Sequence, residues 1–470
     1  MKKPLLLILF TGLIYLASAQ CTTLHSFKFT DGSHPEEDLF YDGTYLYGTT
    51  SYGGKDTCGV IFRIKPDGTG DTVLHTFKKA DGSSPEFGRL YYDGTYLYGT
   101  TTGGGLHNQG NVFRIKPDGT SYTDLYDFAD GGQSTGSVIS DGTYLYGTEF
   151  IGGTLYDGSV FRIKPDGTGD TTLHSFKITD GQNPYGALCY DGKYLYGTTW
   201  EGGTHNFGVI YRLKTDGTGD TVIYNFPDGA YGLNPLAGVV TDGAYLYGTT
   251  PSGGLTADGG GVVFRIKNDG SGDTVLHSFL GDAFSDASNP YQGLLLIGGY
   301  LYGTTQEGGS GNGTVFSIRI DGTNYDILYD FNGEPDGVNP EAGLESDGIY
   351  LYGTTVGGGT NNQGIVFKCQ MNPTGIKKIS QNENEVNVYP NPSEGVFTFQ
   401  ANSQWLIASS KIEVYNVLGK KTYFSIVNGQ QLMANSQIRI DLSNQPSGIY
   451  FYRITSMQGD AIGSGKLIKQ

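Results

Sequence analysis

Tyr45-Leu46-Tyr47-Gly48-Thr49-Thr50 is the stretch that decides the fold. It returns almost unchanged with its first tyrosine at Tyr96, Tyr144, Tyr194, Tyr245, Tyr300 and Tyr350, at spacings of 51, 48, 50, 51, 55 and 50 residues. Upstream of the first copy, Leu39-Phe40-Tyr41 reads as a short apolar strand and Asp42-Gly43 as a tight turn, where glycine supplies a positive φ. Residues 45–50 form a second strand. A loop carrying Gly53-Gly54 leads to a third strand, Val60-Ile61-Phe62-Arg63-Ile64, and a turn at Pro66-Asp67-Gly68-Thr69 leads to a fourth over residues 72–77. Seven tandem units of four antiparallel strands predict an all-β, seven-bladed β-propeller. By analogy with other propellers the first strand of each unit takes the inner position.

The phase of the array predicts how the ring closes. Residues 23–27 read as a lone fourth strand, and the last repeat stops after a third strand at residues 365–369. Joined, they complete one composite blade and remove the open sheet edges that invite aggregation. In the first hairpin, pairing Lys65 with Gly70 puts Ile64 opposite Asp71. The same alignment sets Cys369 opposite Cys21, which predicts a disulfide across the seam. Cys58 and Cys189 have no such relation and are left unpaired.

Residues 1–19 carry the marks of a secretory signal peptide: Lys2 and Lys3, an apolar run over residues 5–16, and Ala17-Ser18-Ala19 as a small-residue cleavage site. Gln20 before Cys21 argues against a lipid anchor. Removing Lys2 and Lys3 takes the formal charge from −17 to −19. Such an acidic chain disfavours nucleic acid and anionic membranes as partners, and the mature form is expected to hold no integral membrane segment.

The recurring Asp-Gly, Tyr-Leu-Tyr-Gly-Thr-Thr, Gly-Gly and Val-Phe-Arg-Ile-Lys-Pro-Asp-Gly elements resemble the bacterial GloVer tandem repeat over about residues 22–370. The resemblance implies a secreted or surface repeat protein and brings no catalytic motif. Departures are local. Gly298-Gly299 replaces Asp-Gly in the sixth copy, and Ser317 and Lys368 stand where other copies have Arg63, Arg114, Arg162, Arg212 and Arg265. Residues 386–470 follow a different pattern: Tyr389-Pro390-Asn391-Pro392-Ser393-Glu394-Gly395, then Ile412-Glu413-Val414-Tyr415-Asn416-Val417-Leu418-Gly419, then Pro446-Ser447-Gly448-Ile449-Tyr450. This segment resembles a type IX secretion sorting domain of type A. The resemblance implies a small Ig-like β-sandwich, recognised by the type IX secretion machinery, with Gly465, Lys466, Leu467 and Ile468 in the terminal export signal. A carbohydrate-binding or fibronectin-like module is the alternative. The organisation expected is thus a signal peptide (1–19), propeller (20–371), linker (372–385) and sorting domain (386–470), in a protein secreted or displayed on the cell surface of a Gram-negative bacterium.

Turns after the first and third strands are short and uniform, whereas loops after the second and fourth are long and varied. Function is expected on the varied face, where loops are held by a rigid scaffold. The residue following the second strand there is Ser51, Thr102, Phe150, Trp200, Pro251, Gln306 or Val356. Phe150 and Trp200, beside Glu149 and Glu201, suggest a sugar-stacking platform, with ordinary loop packing as the plainer reading. His107 and His205 occupy related Gly-Gly loops and are weaker ligand candidates. His25, His75, His174 and His277 share a fourth-strand position with Tyr126, Tyr224 and Tyr329, which marks a structural site. The Asp67-to-Asp71 turn lacks the ligand count of an EF-hand, and Gly132-Gln133-Ser134-Thr135-Gly136 lacks the strand-to-helix elbow of a hydrolase. The expectation is a non-enzymatic binding protein for a glycan or protein, without catalytic or metal residues or a cofactor, calcium remaining open. A polysaccharide lyase or hydrolase and a structural surface component are the alternatives.

Overall fold

The structure, a computed structural model, describes residues 21–86, 88–129, 132–134, 136–227, 229–255, 259–280, 286–371, 386–391, 393–401, 410–416, 421–427, 437–456 and 461–470. The expected signal peptide and linker lie outside the described residues. The chain divides into two compact units, Met1–Met371 and Asn372–Gln470.

Among the described residues of the first unit the chain forms seven four-stranded antiparallel sheets and a two-stranded one of Ala287–Ser288 and Glu307–Gly308. The first is built in chain order from Phe40–Tyr41, Leu46–Thr50, Val60–Ile64 and Thr72–Thr76. Leu39, Tyr45 and Phe77, expected inside strands, flank them instead. The seventh sheet takes Glu345–Ser346, Tyr350–Thr355 and Ile365–Gln370 from one end of the array and Cys21–Ser26 from the other. Cys21 pairs with Cys369 across that seam, and the two form a disulfide with Cα atoms 4.1 Å apart. Cys58 and Cys189 are free.

Each conserved-looking letter of the repeat has a physical task. Asp42 Oδ1 accepts hydrogen bonds from the backbone amides of Thr44 and Tyr45, both at 2.7 Å, and Oδ2 accepts one from the buried Tyr47 hydroxyl at 2.9 Å. Gly48 faces the third-strand ring: a Cβ there would stand 2.7 Å from Phe62 Cζ. Arg63 lies over the Tyr45 ring and donates to the Pro117 carbonyl of the next sheet at 2.8 Å. The same grip runs from Arg114 to Pro165, Arg162 to Thr215, Arg212 to Asn268 and Arg265 to Ile320, and Lys368 reaches Pro66 of the first sheet. Between the sixth and seventh sheets, where Ser317 replaces the arginine, Leu328 and Phe331 pack with Leu351 and Phe367, so the sheets follow one another around a closed circuit. Apolar clusters straddle neighbouring sheets, as where Tyr352 and Val366 of the seventh meet Leu39, Leu46 and Phe62 of the first. Both faces are covered, so third strands such as Val60–Ile64 are nearly continuous apolar runs.

The second unit holds a three-stranded sheet (Val386–Tyr389, Val396–Ala401, Gln437–Asp441) and a four-stranded one (Lys421–Val427, Ser410–Asn416, Gly448–Ser456, Ala461–Lys469). Phe397, Phe399 and Ile440 from one sheet share a core with Ile412, Val414, Tyr452 and Leu467 from the other. Gly465, Lys466, Leu467 and Ile468 all lie in the final strand. No helix among the described residues is long and apolar enough to cross a membrane.

Candidate functional site

The long loop entering a sheet turns at a proline in every copy but the third, where Ser134 takes its place. Asn183, Asn234, Asn289 and Asn339 precede it with φ between 55° and 57°, a left-handed conformation that asparagine tolerates better than most residues. Asn183 Nδ2 donates to the Phe150 carbonyl at 3.1 Å, and Asn234 Nδ2 to the Trp200 carbonyl at 2.9 Å. This ties the proline loop to the residue that follows the second strand, and it aims the residue after the proline at one shared space. Those residues are Glu36, Glu86, Tyr185, Leu236, Tyr291 and Glu341, the third-copy Thr135 lying outside the described residues.

Electrostatics show that these positions converge. Burial raises the Tyr185 pKa, and Tyr291, Glu86, Glu36 and Glu341, carried by four other sheets, push it further. Glu36 is lifted to about 7, chiefly by burial, with Glu86 and Glu341 adding to it and a hydrogen bond from Ser51 Oγ (2.8 Å) opposing it. Glu86 and Glu341 are raised by burial as well; Glu341 accepts from Gln306 Nε2 at 2.7 Å. The seventh, first and second sheets thus give the mouth an acidic arc.

The opposite arc is aromatic. Phe150 and Trp200 have ring centroids 6.5 Å apart at 31°, and Tyr185 meets Phe150 edge-on at 5.3 Å. Trp200, Glu201, Leu236, Pro251, Tyr291 and Gln306 are among the residues lining an open cavity of about 390 Å³. One tier deeper, Arg89 pairs with Glu345 and passes over the Phe40 ring, while Asp38 accepts from the Gly343 amide at 2.6 Å. Glu37 beside them is 3% exposed.

Of the residues singled out from sequence, Phe150, Trp200 and Glu201 meet at this mouth. Glu149 does not. It occupies the place of a threonine such as Thr50, and its carboxylate turns into its own sheet to accept from Ser159 Oγ, with Gly132 and Gly152 packed against it. His107 and His205 sit exposed on loop tips and do not line the cavity. Glu36, Glu86, Tyr185, Tyr291 and Glu341 were missed. Their signal was available, since the residue after each loop proline varies where its surroundings repeat.

Two clusters outside the mouth combine a histidine with two aspartates. His25 turns Nε2 to Asp31 (3.9 Å) and Nδ1 to Asp71 of the next sheet (3.5 Å), and His174 does the same with Asp180 and Asp220 (3.8 and 3.3 Å). Each imidazole bridges two carboxylates with opposite edges. His75 and His277 instead stack on Tyr122 and Tyr325 at 4.0 and 3.7 Å. The position joins neighbouring sheets. Asp67 is likewise engaged locally, accepting from the Thr69 hydroxyl and amide at 2.6 and 2.9 Å.

Comparison with known proteins bears on the scaffold. The Gloeobacter/Verrucomicrobia repeat matches residues 11–193, 57–260, 133–367 and 256–403, and the secretion system C-terminal sorting domain matches residues 387–470. A comparison with curated proteins finds no match. Among solved structures, an oligogalacturonate lyase from Vibrio parahaemolyticus aligns at 10% identity and a TM-score of 0.50, covering 76% of this chain and 94% of the lyase. The GH74 xyloglucanase from Xanthomonas campestris aligns at 13% identity and a TM-score of 0.53, covering 82% of this chain and 59% of that one. At these identities the likeness is one of propeller-like fold.

Proposed function

Because this chain belongs to the Gloeobacter/Verrucomicrobia repeat family and carries a secretion system C-terminal sorting domain, we propose that it is an exported seven-bladed propeller that binds a glycan where its loop prolines converge. The sorting domain makes it a secreted or cell-surface protein and makes the type IX secretion machinery its partner. Seven sheets joined in a closed circuit support the blade count. The two sheets around one core in Asn372–Gln470 support an Ig-like sandwich for the sorting domain.

The observation that carries the binding reading is the mouth itself: Phe150 and Tyr185 gather around Trp200 beside an open cavity that Trp200, Glu201, Tyr291 and Gln306 line, Gln306 donates to Glu341, and the charges of Glu36, Glu86 and Glu341 act on Tyr185. Aromatic faces stack on the apolar faces of sugar rings, and carboxylates accept from their hydroxyls. A cavity of this size suits a few sugar units better than a flat protein epitope. A structural surface component would need neither arc.

A second reading draws on Glu36. A carboxyl with a pKa of about 7 beside other carboxyls is suited to general acid–base work, as in a polysaccharide-active enzyme. A glycan-array screen of the whole protein, with calcium and with chelator, followed by product analysis of any bound glycan, separates the readings. Binding without turnover is expected, and Trp200→Ala weakens it about tenfold, as loss of a central aromatic anchor does. Unchanged affinity in Trp200→Ala overturns the aromatic platform. New reducing or unsaturated ends assign an enzyme, and calcium-dependent binding restores the open alternative of a bound ion.

A further inference from the structure

Resting on the glycan reading, we propose that the sugar held in this mouth is cationic, one bearing a free amino group, as in an oligomer of glucosamine. The mouth gathers negative charge without matching it. Glu36, Glu86 and Glu341 come from the first, second and seventh sheets, and the side chains bonded to Glu36 and Glu341 are the uncharged Ser51 and Gln306. None of the ion pairs among the described residues includes any of the three. Arg89, three residues after Glu86, is engaged with Glu345 and acts on Asp38.

One residue along from Glu36, Glu37 is buried, which raises its pKa against the Thr49 hydroxyl and the Gly88 amide beside its carboxyl. Glu36, whose pKa Glu86 and Glu341 add to, and the two partly buried carboxyls beside it are relieved by a positive ligand and aggravated by a negative one. The aromatic arc does not oppose this choice. Tyr185, Trp200 and Tyr291 offer ring faces that attract an ammonium group as well as stacking on a pyranose. Tyr52, 45% exposed, adds a ring on the acidic side, where Glu86 and Glu36 raise its pKa. A uronate oligomer, the kind of substrate that names the lyase of similar fold, would bring like charge into this arc.

The test is equilibrium binding of the full chain to three oligosaccharides of equal length: glucosamine, N-acetylglucosamine and galacturonate. The glucosamine oligomer is expected to bind about tenfold tighter than its acetylated counterpart, with the advantage falling as salt rises. In Glu36→Gln/Glu86→Gln/Glu341→Gln the two glucosamine-based oligomers should bind alike, while Trp200→Ala weakens both. Circular dichroism and the thermal midpoint verify folding, and Glu86→Gln alone, expected to lose part of the preference, serves if the triple variant does not fold. Equal affinity of the wild type for charged and acetylated oligomers overturns the charge inference and leaves the glycan reading standing. Tightest binding of galacturonate overturns it too. Failure to bind all three sugars removes the glycan reading itself.

Discussion

Glu36 is the residue in which the chemistry of the mouth is concentrated. Its ordinary pKa of 4.5 is lifted to about 7 by burial, then by Glu86 and Glu341, against the Ser51 hydrogen bond, with Tyr52, Tyr185 and Tyr291 feeling its charge. Between those two values the folded protein holds a proton that the unfolded chain has released, so this group's contribution to stability falls as pH rises through the window. Glu36→Gln removes that loss: its urea midpoint should exceed the wild type's at pH 8 and match it at pH 4. An equal shift at both values would assign the effect to packing. Nothing local in the sequence announces Glu36, because His34-Pro35-Glu36-Glu37-Asp38 reads as a polar loop. Its weight comes from Glu341, 305 positions away in sequence and brought alongside by the closing of the circuit. Phe150 and Trp200 were legible, since they break a position that is otherwise uniform in context. Glu149 was named beside them, and its side chain turns into its own sheet to accept from Ser159.

At the level of the element, the seam is the most informative strand pair. The register that sets Cys21 against Cys369 follows from one hairpin, because the two-residue alternation of a strand leaves no freedom once the turn is fixed. The disulfide closes a separation of 348 residues. Replacing both cysteines by serine should cost on the order of 2–5 kcal/mol, the usual range for loss of a native disulfide. Amide exchange is the direct readout: Cys21–Ser26 should lose protection first, and protection equal to that of Thr72–Thr76 would refute a locking role. Strand identity was legible throughout this unit, since Gly48 beneath Phe62 and Asp42 beneath Tyr47 leave repeated letters. The inner rim was harder to read. Between proline and first strand the second copy has Glu86-Phe87-Gly88-Arg89, one residue more than Glu36-Glu37-Asp38 in the first. That extra residue shifts the register of the rim when it is counted back from the first strand, and Arg89 there reaches Glu345 of the seventh sheet.

For the whole molecule, the sorting domain and the proposed binding mouth belong to different units. Leu467, in the final strand, is fully buried among Phe397, Ile412 and Tyr452, so the terminal segment is part of the fold of Asn372–Gln470. Deleting residues 465–470 should leave the protein in the periplasm, measured by fractionation, while secretion at the wild-type level would contradict the role of the terminal strand in export. A separate consequence follows from the composite seventh sheet. Its first strand to be synthesised, Cys21–Ser26, has no partner until Ile365–Gln370 emerges, so six sheets can assemble on a nascent chain that is still topologically open. Closure is then a late, high-contact-order event, and until it occurs two unsatisfied strand edges and two reduced thiols are available to chaperones, oxidases and proteases of the cell envelope. Maturation of this protein should therefore be controlled at a single joint.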